Sequence, residues 1–290
     1  MAHQYKDELY FSRIEEEIQD IYYSNASYTT KISRIRTLTE FYIRRLIQHH
    51  PDSKLELGNE KTIKALQKKN ICESFFWDAY NKIRRAGNED THSQKTICSS
   101  KEEYEEKLEA MNNIYAYMFF DFFKRYPFGT DKDIVSSFSL LPPILRYIVL
   151  RELFDKYPDN IDVIKKLPIA LLKAEGYDNA IDQIEKDKEK YRDIQMPYSS
   201  EDLKEKICYY GWDNINIVMA EIQESVYDFL RRELDKVKEI ENYPIKYKTL
   251  EEAEPYFTEH GLLNETSEEQ KEFNSLMKYI YTGRHKDFNN

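Results

Sequence analysis

Apolar residues recur along most of this chain at intervals of three and four, the spacing of one face of an α-helix. The clearest run is Tyr104, Leu108, Met111, Ile114, Tyr115, Met118, Phe119, Phe122, Phe123 and Tyr126, which predicts a helix over 101–126. Towards its end the stripe becomes wide enough to face two neighbours. A second run, Ile32, Ile35, Leu38, Tyr42 and Leu46, predicts a helix that begins after Ser27-Tyr28-Thr29-Thr30 and is stopped by Pro51-Asp52-Ser53. Further helices are predicted over 5–23, 59–69 and 73–93, and beyond the proline-containing Tyr126–Asp131 segment over 133–157, 160–175, 178–192, 200–210, 213–241, 249–260 and 266–282. Strand signals are weak everywhere, so the fold class is all-α.

Proline divides the chain. Residues 1–126 hold only Pro51, whereas 127–290 hold the other eight prolines. The segment Tyr126-Pro127-Phe128-Gly129-Thr130-Asp131 combines two helix breakers with an N-capping residue. The expected organisation is therefore a helical bundle over 1–128 and a second multi-helix domain over 129–290. Paired helices in the second part suggest a solenoid, but no fixed period supports repeats.

Composition narrows the functional classes. With 7 Gly in 290 residues and no GxGxxG or GxxxxGK[ST], the Gly-rich phosphate loops are excluded. The most apolar stretch, Phe138 to Leu153, carries Pro142, Pro143, Arg146 and Arg151 and is too short and too charged for a membrane span. The first residues show no signal peptide. Cys72, Cys98 and Cys208 form no CxxC pair, which fits a reducing compartment and gives no zinc motif. Inert, buried thiols are the expectation for Cys72 and Cys98. A cytoplasmic protein without membrane contact, cofactor or metal is expected. His49-His50 near Asp52 does not alter this, because adjacent residues on a helix point about 100° apart.

The net charge of −10 argues against indiscriminate polyanion binding. Charge is nevertheless uneven. Lys31 to Arg85 carries thirteen Lys and Arg against six Asp and Glu, a net of +7. Such a zone on an acidic chain reads either as a local polyanion site or as an ordinary Lys-rich helix surface. Glu40, four residues after Arg36, reads as a surface ion pair. Trp77 and Trp212 are able to stack on bases, although most aromatics in so aromatic a chain belong to the core.

The residues suited to chemistry lie in Lys82-Ile83-Arg84-Arg85-Ala86-Gly87-Asn88-Glu89-Asp90-Thr91-His92. Arg84, Asn88 and His92 fall at i, i+4 and i+8, on one face of a continuous helix. A guanidinium holds a phosphate and stabilises added charge on it. An imidazole exchanges protons near neutral pH. The amide of Asn88 orients either partner. RNA brings its own nucleophile, the 2′-hydroxyl. Gly87 either lets a partner approach closely or breaks the helix. The competing reading of the trio is a solvated or hydrogen-bonded helix face.

Three pieces of sequence carry a family resemblance. They are Ser33-Arg34-Ile35-Arg36-Thr37-Leu38-Thr39-Glu40 with Ile43 and Leu46; Leu57-Gly58-Asn59-Glu60-Lys61-Thr62-Ile63-Lys64-Ala65-Leu66; and Ile83-Arg84-x-x-Gly87-Asn88-x-x-x-His92. In order and spacing they resemble the DUF4145 family of the HEPN superfamily of helical domains, over about a third of the chain. The resemblance implies a HEPN-like bundle that pairs as a homodimer. It also implies a metal-independent endoribonuclease site, toxin-like or antiviral, with Arg84 and His92 as the catalytic pair and Asn88 between them. Lys82, Arg85 and Arg36 are the nucleic-acid-binding candidates, RNA is the expected partner, and the aromatic stripe over 101–126 is the expected dimer contact. Seven residues separate Arg84 from His92, one more than the four to six of the ribonuclease motif, and six separate Arg85 from it, but Ala86 then stands where the motif often has a polar residue, so the motif position is open between the two arginines. Other members of the superfamily serve as inactive interaction modules beside defence or restriction proteins. On that alternative the chain holds a protein or a nucleotide, and the acidic second domain is a surface for a protein partner.

Overall fold

The computed structural model describes residues 6–49, 54–91, 98–238 and 247–285. Among these the fold is all-α, with fifteen α-helices and no strands. In chain order they are α1 (Phe11–Ile18), α2 (Tyr28–Leu46), α3 (Glu60–Lys68), α4 (Ser74–Thr91), α5 (Lys101–Arg125), α6 (Lys132–Phe138), α7 (Pro143–Lys156), α8 (Ile161–Glu175), α9 (Tyr177–Lys186), α10 (Lys188–Arg192), α11 (Ser200–Tyr210), α12 (Ile215–Ile222), α13 (Val226–Lys238), α14 (Leu250–His260) and α15 (Glu268–Tyr281). No helix among the described residues is long and apolar enough to cross a membrane.

Two compact units form: residues 1–122 together with 249–290, and residues 123–248. The sequence pattern groups 249–290 with the second part; their contacts are with the first. The reason is chemical. Helix α15 buries Phe273, Leu276, Met277, Tyr279, Ile280 and Tyr281. Such a face needs an aromatic partner, and α2 and α5 supply one. The Tyr279 ring stands edge-on to Tyr42 at 5.2 Å, and Phe273 lies 5.3 Å from Phe122.

In this first unit α2 is capped by Ser27, whose hydroxyl accepts the Thr30 N–H at 3.2 Å. Its apolar face, Ile32, Ile35, Leu38, Tyr42, Ile43 and Leu46, is buried, and it packs on α4. From α4 come Phe76, Ala79, Tyr80 and Ile83, and from α5 come Met111, Ile114, Tyr115, Met118 and Phe119, all buried. The stripe on α5 is thus core of a single chain. It is not free to pair two copies, which corrects the expected dimer contact. The stripe is wide because α5 faces several helices of its own chain.

In the second unit three expected helices are each divided, 178–192 among them, which parts at Asp187 into α9 and α10. The span 133–157 breaks at Leu141-Pro142-Pro143, because a residue before proline is driven out of the α region. The span 213–241 breaks at Gln223–Ser225, where Ser225 starts α13 by accepting the Asp228 N–H at 3.1 Å. Cys72 and Cys98 are exposed, contrary to the expected burial, and Cys208 is exposed as well. Cys72 and Cys98 lie in the connections just ahead of α4 and α5, outside any apolar helix face.

Several phenols are locked inside the first unit. Burial pushes Tyr42 up to about 12 and Tyr115 well above its ordinary value of 10. A phenol whose folded pKa is raised holds its proton more tightly than the unfolded chain does. Its contribution is intact below the unfolded value and is lost as pH climbs beyond it. Melting temperatures should therefore stay level up to about pH 10 and fall steeply from about pH 10 to 12. A Tyr42→Phe variant should show a shallower fall, and a flat profile across that window would contradict this account.

Candidate functional site

The polar side of α2 carries Ser33, Arg36, Thr37, Glu40 and Arg44, at i, i+3, i+4, i+7 and i+11 on one stripe. This stripe lines an open cleft of about 830 Å³, with Lys54, Leu55 and Glu56 also lining it. Four lining cations, Arg34, Arg36, Arg44 and Lys54, face two lining carboxylates, Glu40 and Glu56. The volume falls in the range of ligand-binding clefts, roughly 300–1,000 Å³.

Tertiary contacts decide which cations remain available. Arg34 Nε meets Asp20 at 2.9 Å, and the guanidinium also reaches the buried Glu17. Arg45 is held by Asp7 at 2.9 Å and by Ser275. Lys54 pairs with Glu56 at 2.5 Å. Lys82 turns to Glu106 of α5 at 3.5 Å. Three cations of the basic segment, Arg34, Arg45 and Lys82, are in this way offset by acids outside it. Arg36 differs. Among the described residues its ion-pair contact is a loose one, 3.9 Å from Nε to Glu40, with the arginine side chain only 20% exposed.

Glu40 is itself spoken for. Its Oε1 accepts the Leu57 N–H at 3.4 Å, while the Tyr80 hydroxyl donates to the Leu57 carbonyl at 2.5 Å. The backbone of one buried residue, Leu57, thus ties α2 to α4. Burial raises the Glu40 pKa, opposed by the Leu57 N–H and by Arg36. Burial likewise pushes Tyr80 up to about 12, with Arg84, Glu40 and Arg36 all close enough to act on it. Arg84 therefore approaches the same spot from α4. Its Nε is buried and has no hydrogen-bond partner among the described residues. The Arg84 and Arg36 charges both act on the Tyr80 phenol, and Glu40, whose charge burial disfavours, lies against Arg36. The three sequence pieces that carry the family resemblance, through Arg36 and Glu40, Leu57, and Arg84, meet here.

No family model, curated protein or solved structure matches this chain.

Of the sequence-derived residues, Arg84 on α4 and Arg36 on α2 both act on Tyr80, which spacing alone did not reveal, and Arg36 but not Arg84 lines the cleft. Arg85 is exposed on α4, and Lys82 is directed to α5. Helix α4 runs unbroken through Gly87 to Thr91, so Asn88 lies one turn beyond Arg84 on the same helix; its side chain is outside the described set. His92 lies outside the described residues, as do His50 and Asp52. Among the described residues no cluster of His, Cys, Asp and Glu could hold a metal ion. Trp77 is fixed by a hydrogen bond from its indole N–H to the Ile71 carbonyl at 3.0 Å. Trp212, in the second unit, is 73% exposed instead of belonging to a core. Glu40, taken from sequence as an ordinary surface partner of Arg36, is three-quarters buried and lines the cleft. Its signal in the sequence was its place on the Ser33–Arg36–Thr37–Arg44 stripe.

Proposed function

We propose that the first unit is a metal-independent endoribonuclease of the HEPN type, acting in a toxin-like or antiviral setting. The observation that carries this reading is the buried Arg84 Nε, without a hydrogen-bond partner among the described residues, at the head of the Arg84–Asn88–His92 motif. An arginine left short of partners in a low-dielectric setting is stabilised by an arriving anion. A phosphodiester supplies that anion.

In the proposed reaction the ribose 2′-oxygen attacks phosphorus and gives up its proton to a base. The 5′-oxygen leaves and takes up a proton. His92 exchanges these protons, and Arg84 stabilises the extra negative charge of the five-coordinate phosphorus. Asn88 orients either partner. The products end in 2′,3′-cyclic phosphate and 5′-hydroxyl. Two copies of the chain would bring two Arg–His pairs to one strand, through surface other than the buried α5 stripe.

A second reading is favoured by the make-up of the cleft. Its hydroxyls and arginines serve binding whether or not cleavage follows, as in an inactive nucleotide-holding or protein-binding module of a defence or restriction system. Incubating the protein with defined single-stranded RNAs in EDTA separates the two. Fragments ending in cyclic phosphate support the nuclease, and intact RNA retained by the protein supports the binding module.

A further inference from the structure

We propose that the cleft on α2 is a phosphate-binding subsite in its own right. It would grip the backbone of a single RNA strand away from the scissile linkage, with Arg36 as the charged contact and the Ser33 and Thr37 hydroxyls as neutral ones. The proposal rests on the ribonuclease reading for the identity of the strand. Its geometry is independent of the Arg84–His92 motif.

The argument begins with charge. Arg34 and Lys54 are matched by carboxylates at ordinary ion-pair distances, 2.9 Å and 2.5 Å. Arg36 is not, at 3.9 Å from a carboxylate that already accepts a backbone N–H. A cation with one-fifth of its side chain exposed has given up much of its hydration without a full partner in return. An incoming phosphate oxygen, which accepts charge-assisted hydrogen bonds from a planar guanidinium, makes good that loss.

The neighbours suit the same ligand. Ser33 is exposed on α2 one turn before Arg36. The Thr37 hydroxyl donates to the Ser33 carbonyl at 3.3 Å, a long bond that it would exchange, by turning about its side-chain torsion, for one donated to a phosphate oxygen. Hydroxyls and arginines are the usual backbone contacts of nucleic-acid-binding proteins and carry no base preference. The cleft is larger than one phosphate needs, and Arg84 approaches Tyr80 from α4. A strand lying along α2 would pass from this subsite towards the α4 motif. Glu40 is the opposing element. When ionised it competes with phosphate for Arg36.

The experiment measures binding of a 2′-O-methyl uridine oligomer, which lacks the nucleophile and cannot be cleaved, by fluorescence anisotropy across a salt series. Arg36→Gln should weaken binding by about tenfold. It should also make the dependence of log K on log salt shallower by about 0.7. Glu40→Gln keeps an acceptor for the Leu57 N–H and removes the competing charge, so it should tighten binding several-fold. Wild-type affinity in both variants, or no binding by the wild-type chain, overturns the subsite. Cleavage of ordinary RNA is followed in parallel. Arg36-dependent binding without cleavage leaves the subsite standing and rejects the nuclease. Cleavage with binding indifferent to Arg36 and Glu40 does the reverse.

Discussion

The Arg284→Met variant is expected to lose about 3–5 kcal/mol of stability, the usual consequence of breaking a buried ion pair by removing one partner. Arg284 is 1% exposed, and each arm of its guanidinium is engaged. One terminal nitrogen meets Glu251, the other donates to the Tyr115 hydroxyl at 2.7 Å, and Nε donates to the Ile280 carbonyl at 3.3 Å. The Tyr22 and Tyr115 rings stand 4.9 and 5.3 Å from its central carbon, at cation–π distance. Its carbonyl accepts the Tyr23 hydroxyl. One residue thereby joins the end of α15 to α5, α14 and the turn after α1. Methionine fills similar space but leaves Glu251 and Tyr115 without their donor. The melting temperature of the first unit should fall by roughly 10 °C, read from the emission of Trp77. A double variant, Arg284→Met with Glu251→Leu, should recover part of the loss, because the stranded carboxylate is gone. A single variant that melts with the wild type would reject this role.

Arg84 should behave in the opposite way. Arg84→Ala is expected to lower RNA cleavage about 100- to 1,000-fold, the scale seen when one charge-stabilising donor is removed from a reaction centre. His92→Ala should lower it at least as far. Stability should stay level or rise in Arg84→Ala, because no hydrogen bond to Nε is lost and one under-compensated charge leaves a partly buried setting. A structural arginine would show the reverse pattern of melting loss without loss of cleavage. Undiminished cleavage by Arg84→Ala, with Arg85→Ala inactive, would move the motif position to Arg85. Undiminished cleavage in both would remove the motif from the reaction. Arg85, exposed on the same helix, otherwise serves as a control for the charge of the strand.

The two arginines show where sequence reasoning reaches and where it stops. Arg84 was visible because it belongs to a local pattern, one helix face within nine residues. Arg284 was invisible, because Glu251, Tyr115, Tyr22 and Tyr23 approach it from distant parts of the chain and no local spacing records them. Arg36 falls between. Its stripe on α2 is legible in the sequence, whereas its loose pairing, 3.9 Å from Glu40, is not. The basic segment from Lys31 to Arg85 looked like a site as a whole. Asp20, Asp7 and Glu106 offset parts of it, while Arg36 keeps a loose carboxylate contact and Arg84 Nε has no hydrogen-bond partner among the described residues.

Helix positions followed from the sequence because apolar spacing, capping residues and prolines act within a few turns. Ser27 begins α2, and Pro142-Pro143 divides 133–157, through interactions each residue makes with its own neighbours. The chain alone therefore determined an all-α protein, the approximate places of most of its helices and the polar stripe on α2. The tertiary structure alone decided that α14 and α15 return to the first unit, that the α5 aromatics are spent inside one chain, and which arginines among the described residues are closely paired. Partner choice depends on the packing of segments far apart in sequence, and buried charge is settled only when those segments meet.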